Sequence, residues 1–225
     1  MPAESFAIPL FLSLKVAGTA TLANIVFGTV AGFLLAKSRF AGRNLLDTLL
    51  TLPMVLPPTV LGYYLLVLFG RNSAAGAWLQ ETFGISLIFT WQGAAVAAAA
   101  ATFPLVFKPA RAAFESVNPQ LEQAARVLGL GGTAVFFRVS LPLAWRGILA
   151  GVLLAFARAL GEFGATLMIA GSIPGQTQTL SVAIYEAVQA GDDAAADALV
   201  LAVSLLCAAV LLAAGRLLKP KDGRM

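Results

Sequence analysis

Five long apolar runs, at about 8–36, 46–69, 87–107, 147–171 and 197–215, alternate with short polar segments along this chain. A helix needs about 20 mostly apolar residues to cross the hydrocarbon core of a bilayer, and each run meets that length. The pattern predicts an all-α integral membrane protein, a bundle of about five transmembrane helices in one domain spanning 1–225. Lys15 falls inside the first run, so that helix starts later on its outer side or the lysine snorkels to the interface.

One polar island interrupts the pattern. Residues 118–129 read NPQLEQAARVLG and are followed at 139–142 by VSLP, between the third and fourth runs. Asn118 is a good helix cap, and Pro119 suits the first helical position. Glu122 lies near the positive end of the helix dipole. Leu121, Ala124, Ala125 and Leu128 share one narrow face at i, i+3, i+4, i+7 spacing. Gly129 can take the left-handed conformation that ends a helix, and Pro142 restricts the following piece. A helix of about ten residues is marginal alone, so it needs tertiary packing or a partner. Its small apolar face suits insertion into a partner's groove, although flanking basic residues would also suit a helix lying on the membrane.

Two further features sit inside the apolar runs. The second run carries Pro53, Pro57 and Pro58 in the stretch LPMVLPPTVLGY at 52–63, which must kink or break the helix. That break serves either packing or a substrate path. Arg158 and Glu162 stand four residues apart in the run 147–171, on one helix face, where they can pair. Intramembrane charges usually face a bundle interior or a wet cavity, so the pair is either a self-neutralising structural contact or part of an anion path. In a span over 147–171, Arg158 would lie about a third of the way in from the cytoplasmic side.

Composition narrows the function. Only 12% of residues are charged, against about 25% in soluble domains. The net charge of +4 does not point to nucleic acid, because the basic residues cluster at the ends of apolar runs. Twelve of the fifteen Lys and Arg follow the first, third and fifth runs, from Lys37, Arg39 and Arg43 to Lys219, Lys221 and Arg224. The positive-inside rule then places the N-terminus outside and the C-terminus in the cytoplasm. The segment 115–146 becomes cytoplasmic and 172–196 an external loop. Met1 to Ser5 lack the basic region of a cleavable signal. There is no histidine, and the single Cys207 lies in an apolar run, which argues against a metal site or membrane-embedded enzyme. No phosphate-binding loop of the G-x-x-x-x-G-K-[ST] type occurs, so any ATP hydrolysis must be done by another subunit.

The polar island resembles the cytoplasmic "EAA" loop of import-type ABC-transporter permease subunits, in which Glu-Ala-Ala is followed by three residues and Gly, then nine residues and a hydrophobic–x–Leu–Pro ending. Gly129, Leu141 and Pro142 match that spacing, as do Ala124 and Ala125. In strict register the family's Glu falls on Gln123, with an acidic residue one place earlier at Glu122, so both are candidates for the ATPase contact. The stretch 52–63 is similar to molybdate permeases. FARALGEFGAT at 156–166 is similar to molybdate and sulfate permeases, and IPGQTQT at 173–179 resembles the outer loop that follows it.

The resemblance implies an import-type ABC permease fold with a short cytoplasmic coupling helix. It implies a second copy of the chain, two cytoplasmic ATP-binding subunits that hold ATP and Mg, and an external molybdate-binding protein. No cofactor is expected in this chain. Pro57, Pro58, Arg158 and Glu162 are candidates for the translocation path. Sulfate, thiosulfate and tungstate are the alternative cargoes, and an ion-coupled carrier is the alternative class. The docking loop and the scarcity of intramembrane carboxylates argue against a carrier.

Overall fold

The computed structural model describes residues 3–218 and is helical almost throughout. The elements in chain order are α1 (Ala3–Lys37), α2 (Arg43–Val55), α3 (Pro58–Phe69), α4 (Ala74–Phe83), α5 (Trp91–Glu115), α6 (Pro119–Val127) and α7 (Gly132–Val135). A π-helical turn (Phe136–Ser140) leads into α8 (Leu141–Leu160), followed by α9 (Gly164–Ala170), α10 (Leu180–Ala190) and α11 (Asp193–Leu218). Lys219, Lys221 and Arg224, counted in the charge bias, lie outside the described residues.

Four helices are long and apolar enough to cross a membrane: Ala7–Lys37, Trp91–Glu115, Gly132–Leu160 and Asp193–Leu217. A fifth crossing exists if α2 and α3 count as one broken span, bent by 112°. The break follows from the three prolines. Leu56 precedes Pro57 and Pro57 precedes Pro58, and a residue before proline is driven out of the helical region. Both are extended, with ψ of 141° and 138°. Pro58 then opens α3 at a position where a missing N–H costs nothing.

The expected span 147–171 is corrected. The helix begins before the apolar run, at Gly132, and stops at Leu160; residues 161–163 leave the helix and α9 starts anew at Gly164. The expected external loop 172–196 is also more ordered than its polarity suggested. It contains α10, whose Leu180, Val182 and Ala183 are buried, and Leu180 N–H donates to the Ser13 hydroxyl of α1 at 2.7 Å.

The bundle is built around α5, which packs on α1 along one side and α8 along another. Small residues allow both approaches. A Cβ on Gly32 of α1 would stand 2.9 Å from Ala110 Cβ and from the backbone N of Arg111. A Cβ on Gly151 of α8 would stand 2.5 Å from the Leu105 carbonyl oxygen. Gly28 with Gly32, and Gly147 with Gly151, form two small-xxx-small faces clasping α5, the motif that lets helix backbones approach in lipid. A buried polar tie adds direction. Asn24 Nδ2 of α1 donates to the Ala99 carbonyl and to Thr102 Oγ1, both at 3.0 Å, while Thr102 Oγ1 donates to the Ala98 carbonyl.

By contrast, α2 buries none of its residues. Charge holds it to α5: Asp47 receives Lys108 Nζ at 2.6 Å and Arg111 Nη1 at 2.5 Å, and Arg43 pairs with Glu115. Leu45, Leu49, Leu52 and Val55 therefore stand exposed on α2, as do Tyr63, Tyr64 and Val67 on α3.

Candidate functional site

The polar island folds as its caps dictate. Asn118 Oδ1 accepts from Gln120 N–H at 2.9 Å, and Pro119 is the first helical residue of α6. At the other end Gly129 has φ of +89°, the left-handed region. Gly129 N–H bonds the Arg126 carbonyl and Leu130 N–H the Ala125 carbonyl, the paired bonds of a Schellman stop.

Of the nine residues of α6 only Glu122 and Ala125 are buried. Ala125 is therefore removed from the outward apolar face that the periodicity suggested. Leu121, Gln123, Ala124, Val127 and Leu128 are exposed, Val127 and Leu128 to more than 80%. The two candidates for the polar contact differ in exposure. Gln123 is exposed, whereas the Glu122 carboxylate is drawn inward. Its Oε1 lies 2.8 Å from Lys37 Nζ, the last residue of α1, and accepts from Ser140 Oγ at 2.7 Å. Burial alone would raise the Glu122 pKa, but the Lys37 ammonium, the Ser140 hydroxyl and the nearby Arg126 outweigh it, so the carboxyl sits below its ordinary value. Neither Lys37 nor Ser140 was singled out from the sequence. Lys37 reads there as one more basic residue at a helix end, and Ser140 as the unspecified position of VSLP.

Beside this cluster the ends of three long helices meet in an aromatic knot. Phe33 of α1 packs edge-on to Phe114 of α5 and Phe136 of the π turn, with ring centroids 5.2 and 4.6 Å apart. Leu141 is half-buried against it, and Pro142 is exposed in the first turn of α8. The π turn is closed by Leu141 N–H to the Phe136 carbonyl, five residues back, so one extra residue is accommodated between α7 and α8.

The second group of candidates gathers where two broken helices touch. Arg158 lies in the last turn of α8, and not a third of the way into a longer span, because the helix ends at Leu160. Its Nη1 is 2.9 Å from Glu162 Oε2, with the Glu162 side chain 1% exposed and that of Arg158 46%. Glu162 Oε1 accepts from Ala165 N–H at 3.2 Å, in the first turn of α9. The carboxylate thus joins the end of one helix to the start of the next. Pro58 of the other break is in direct contact: a Cβ on Gly164 would stand 2.8 Å from Pro58 Cβ.

A cleft of about 270 Å³ opens there, lined by Pro53, Met54, Leu56, Pro58, Leu61, Ala101, Leu105, Arg158 and Glu162. Pro57 makes the bend without lining the cleft. Phe163 contacts Tyr185 of α10 at 5.1 Å between ring centroids, so α10 packs beside this break. Nonhelical backbone at membrane depth is tolerated where it is buried in protein or lines a cavity, and this one does both.

The chain matches the family described as "Binding-protein-dependent transport system inner membrane component" over residues 25–221. It is 44% identical over 217 residues, 95% of each chain, to the molybdenum transport system permease protein ModB of Escherichia coli K12. It is 40% identical over 198 residues to the sulfate transport system permease protein CysT of the same strain, covering 87% of this chain and 71% of that one. In structure it resembles a chain of the MetNI methionine ABC transporter, solved in inward-facing conformations. The TM-score is 0.72 with 15% identity, over 95% of this chain and 94% of that one, a likeness of fold. With four long apolar helices, a broken α2–α3 pair and a family match over residues 25–221, the chain belongs to the inner membrane components of binding-protein-dependent transport systems.

Proposed function

We propose that this chain is the permease subunit of an ABC importer that carries molybdate into the cytoplasm. The observation that carries the reading is α6, a capped helix that presents Leu121, Gln123, Ala124, Val127 and Leu128 outward while anchoring itself through Glu122 and Ala125. An apolar face of that size, exposed at the basic end of the bundle, suits a groove on a cytoplasmic subunit. Gln123 occupies the register of the family's Glu and is exposed, so it is free to meet that subunit. The cargo is supported by near full-length identity to a molybdenum permease, against a shorter match to a longer sulfate permease.

In this reading two copies of the chain form the path around a two-fold axis, and their exposed α2 and α3 faces supply apolar surface for pairing. The chain itself does not hydrolyse ATP; two ATP-binding subunits do so, and an external binding protein delivers the oxyanion. In the same reading Lys37, α6 and Arg216 face the cytoplasm and the N-terminus lies outside, the orientation that the positive-inside rule favours for this distribution of basic residues. ATP draws the ATP-binding subunits together, α6 moves with them, and the broken helices switch between outward-open and inward-open arrangements. A shift from 1:99 to 99:1 requires about 5.5 kcal/mol of differential affinity, within reach of nucleotide binding. Arg158, half-exposed in the cleft, offers the passing dianion a guanidinium whose charge Glu162 partly offsets, which favours passage over tight binding.

The reading is tested by reconstituting the chain with its ATP-binding subunit and a molybdate-binding protein in liposomes. ATP-dependent molybdate uptake that Gln123→Ala weakens by reducing ATPase association supports it. Uptake that follows an ion gradient without ATP contradicts it.

A further inference from the structure

We propose that Glu122 is a positioning residue that binds the coupling helix, α1 and α8 into one moving body, so that force applied to α6 reaches the membrane path. The proposal rests on the permease reading above and assigns the route by which α6 acts.

One carboxylate oxygen joins three elements. Glu122 belongs to α6, Lys37 is the last residue of α1, and Ser140 closes the π turn that leads into α8. Lys37 Nζ and Ser140 Oγ reach the same Oε1, at 2.8 and 2.7 Å. Without them α6 would have a poor hold on its own chain, because Ala125 is its only other buried residue. A methyl group fixes neither direction nor rotation. An ionised carboxylate with a charged and a hydroxyl donor fixes both, through short charge-assisted hydrogen bonds.

The three elements are also the ones a coupling helix must move. α8 begins right after Ser140 and carries Arg158 in its last turn, 18 residues on and about 27 Å along the helix. Arg158 and Glu162 stand at its far end, beside the broken α2–α3 span. α1 runs from Lys37 along the whole of α5, against which Gly32 seats it closely. A displacement of α6 that keeps Glu122 bonded therefore tilts α8 and α1 together. The π turn at 136–140 is the place between α7 and α8 where backbone hydrogen bonding is already loosened.

A merely local structural role and a transmitting role differ in one quantity, the ATP hydrolysed per molybdate taken up. Glu122→Gln keeps the side-chain shape and an acceptor for Ser140 while removing the charge that holds Lys37. The test uses the full assembly in liposomes and measures uptake, ATP hydrolysis and retention of the ATP-binding subunit on the same preparations. We expect E122Q to retain the ATP-binding subunit and hydrolyse ATP, but to spend at least fivefold more ATP per molybdate. Lys37→Gln should do the same. Reversing the pair, Lys37→Glu with Glu122→Lys, should restore at least half of the coupling. An unchanged ratio in both single variants would overturn the proposal. So would uptake and hydrolysis falling in proportion with loss of the ATP-binding subunit, which would make Glu122 a docking contact. Should the reversed pair fail to assemble, K37Q and E122Q decide the matter on their own. No ATP-driven uptake by the unaltered protein would instead overturn the permease reading itself, and this proposal with it.

Discussion

Two residues show how single positions carry this site. Gly129 holds φ of +89° to stop α6, a conformation that a β-branched residue adopts only under strain of roughly 1–2 kcal/mol. Gly129→Val should leave the chain inserted but reorient the end of α6, lowering ATP-driven uptake about tenfold; uptake at the normal rate would count against the docking assignment. For Glu122 the folded pKa lies below the ordinary value of about 4.3, so its contribution to stability is present above that value. The contribution fades as pH falls through the lower, folded value. A fluorophore on exposed Val127 should show constant anisotropy at neutral and mildly acidic pH, and greater mobility only once the pH has fallen below the ordinary carboxylate value. The same probe in E122Q should show no such acid transition.

Arg158 and Glu162 can be separated into stability and transport in the same way. Arg158→Ala strands a buried carboxylate and should cost about 2 kcal/mol, less than for a fully buried pair because the guanidinium reaches the cleft. Adding Glu162→Gln should recover most of the melting temperature. If Arg158 attracts the anion, uptake stays low in the double variant even though stability returns. Full recovery of uptake would reduce the pair to a structural contact.

Among the helices, what the sequence showed depended on whether the cause of a feature is local. The break in the second span was legible because Pro57 and Pro58 force it from within the backbone. The end of α8 was not. Residues 161–164 read GEFG inside an apolar run, and the break there rests on Glu162 bonding the first turn of α9 and on Pro58 filling the space above Gly164. Hydropathy carries no trace of either contact. The same division holds in α6. Its caps were readable, but the inward turn of Glu122 depends on Lys37, 85 residues earlier in the chain. The clasp of α1 on α5 gives a prediction at this scale. Gly32→Leu should prevent a well-folded preparation, since a Cβ would already stand 2.9 Å from the α5 backbone. Asn24→Ala, which loses only the buried polar tie, should cost about 0.6–2 kcal/mol and keep the fold. Thermal unfolding in detergent distinguishes the two.

Across the whole molecule the long helices differ in how they are held. α5 is clasped by α1 and α8, while α2 buries nothing and is tied to α5 by Asp47, Glu115 and their three basic partners. Such a helix, leading into a 112° break beside Arg158, is suited to move when its neighbours tilt. Helix α6 sits at the end of the bundle where α1, α5 and α8 converge on the Phe33–Phe114–Phe136 knot. The central claim is that docking at α6 drives the passage of molybdate through the bundle. It is tested most directly by molybdate uptake into liposomes carrying this chain, its ATP-binding subunit and a molybdate-binding protein, with sulfate as competitor. The account predicts uptake that requires ATP and the binding protein and is little affected by sulfate. Uptake without ATP, or sulfate carried in preference to molybdate, would contradict it.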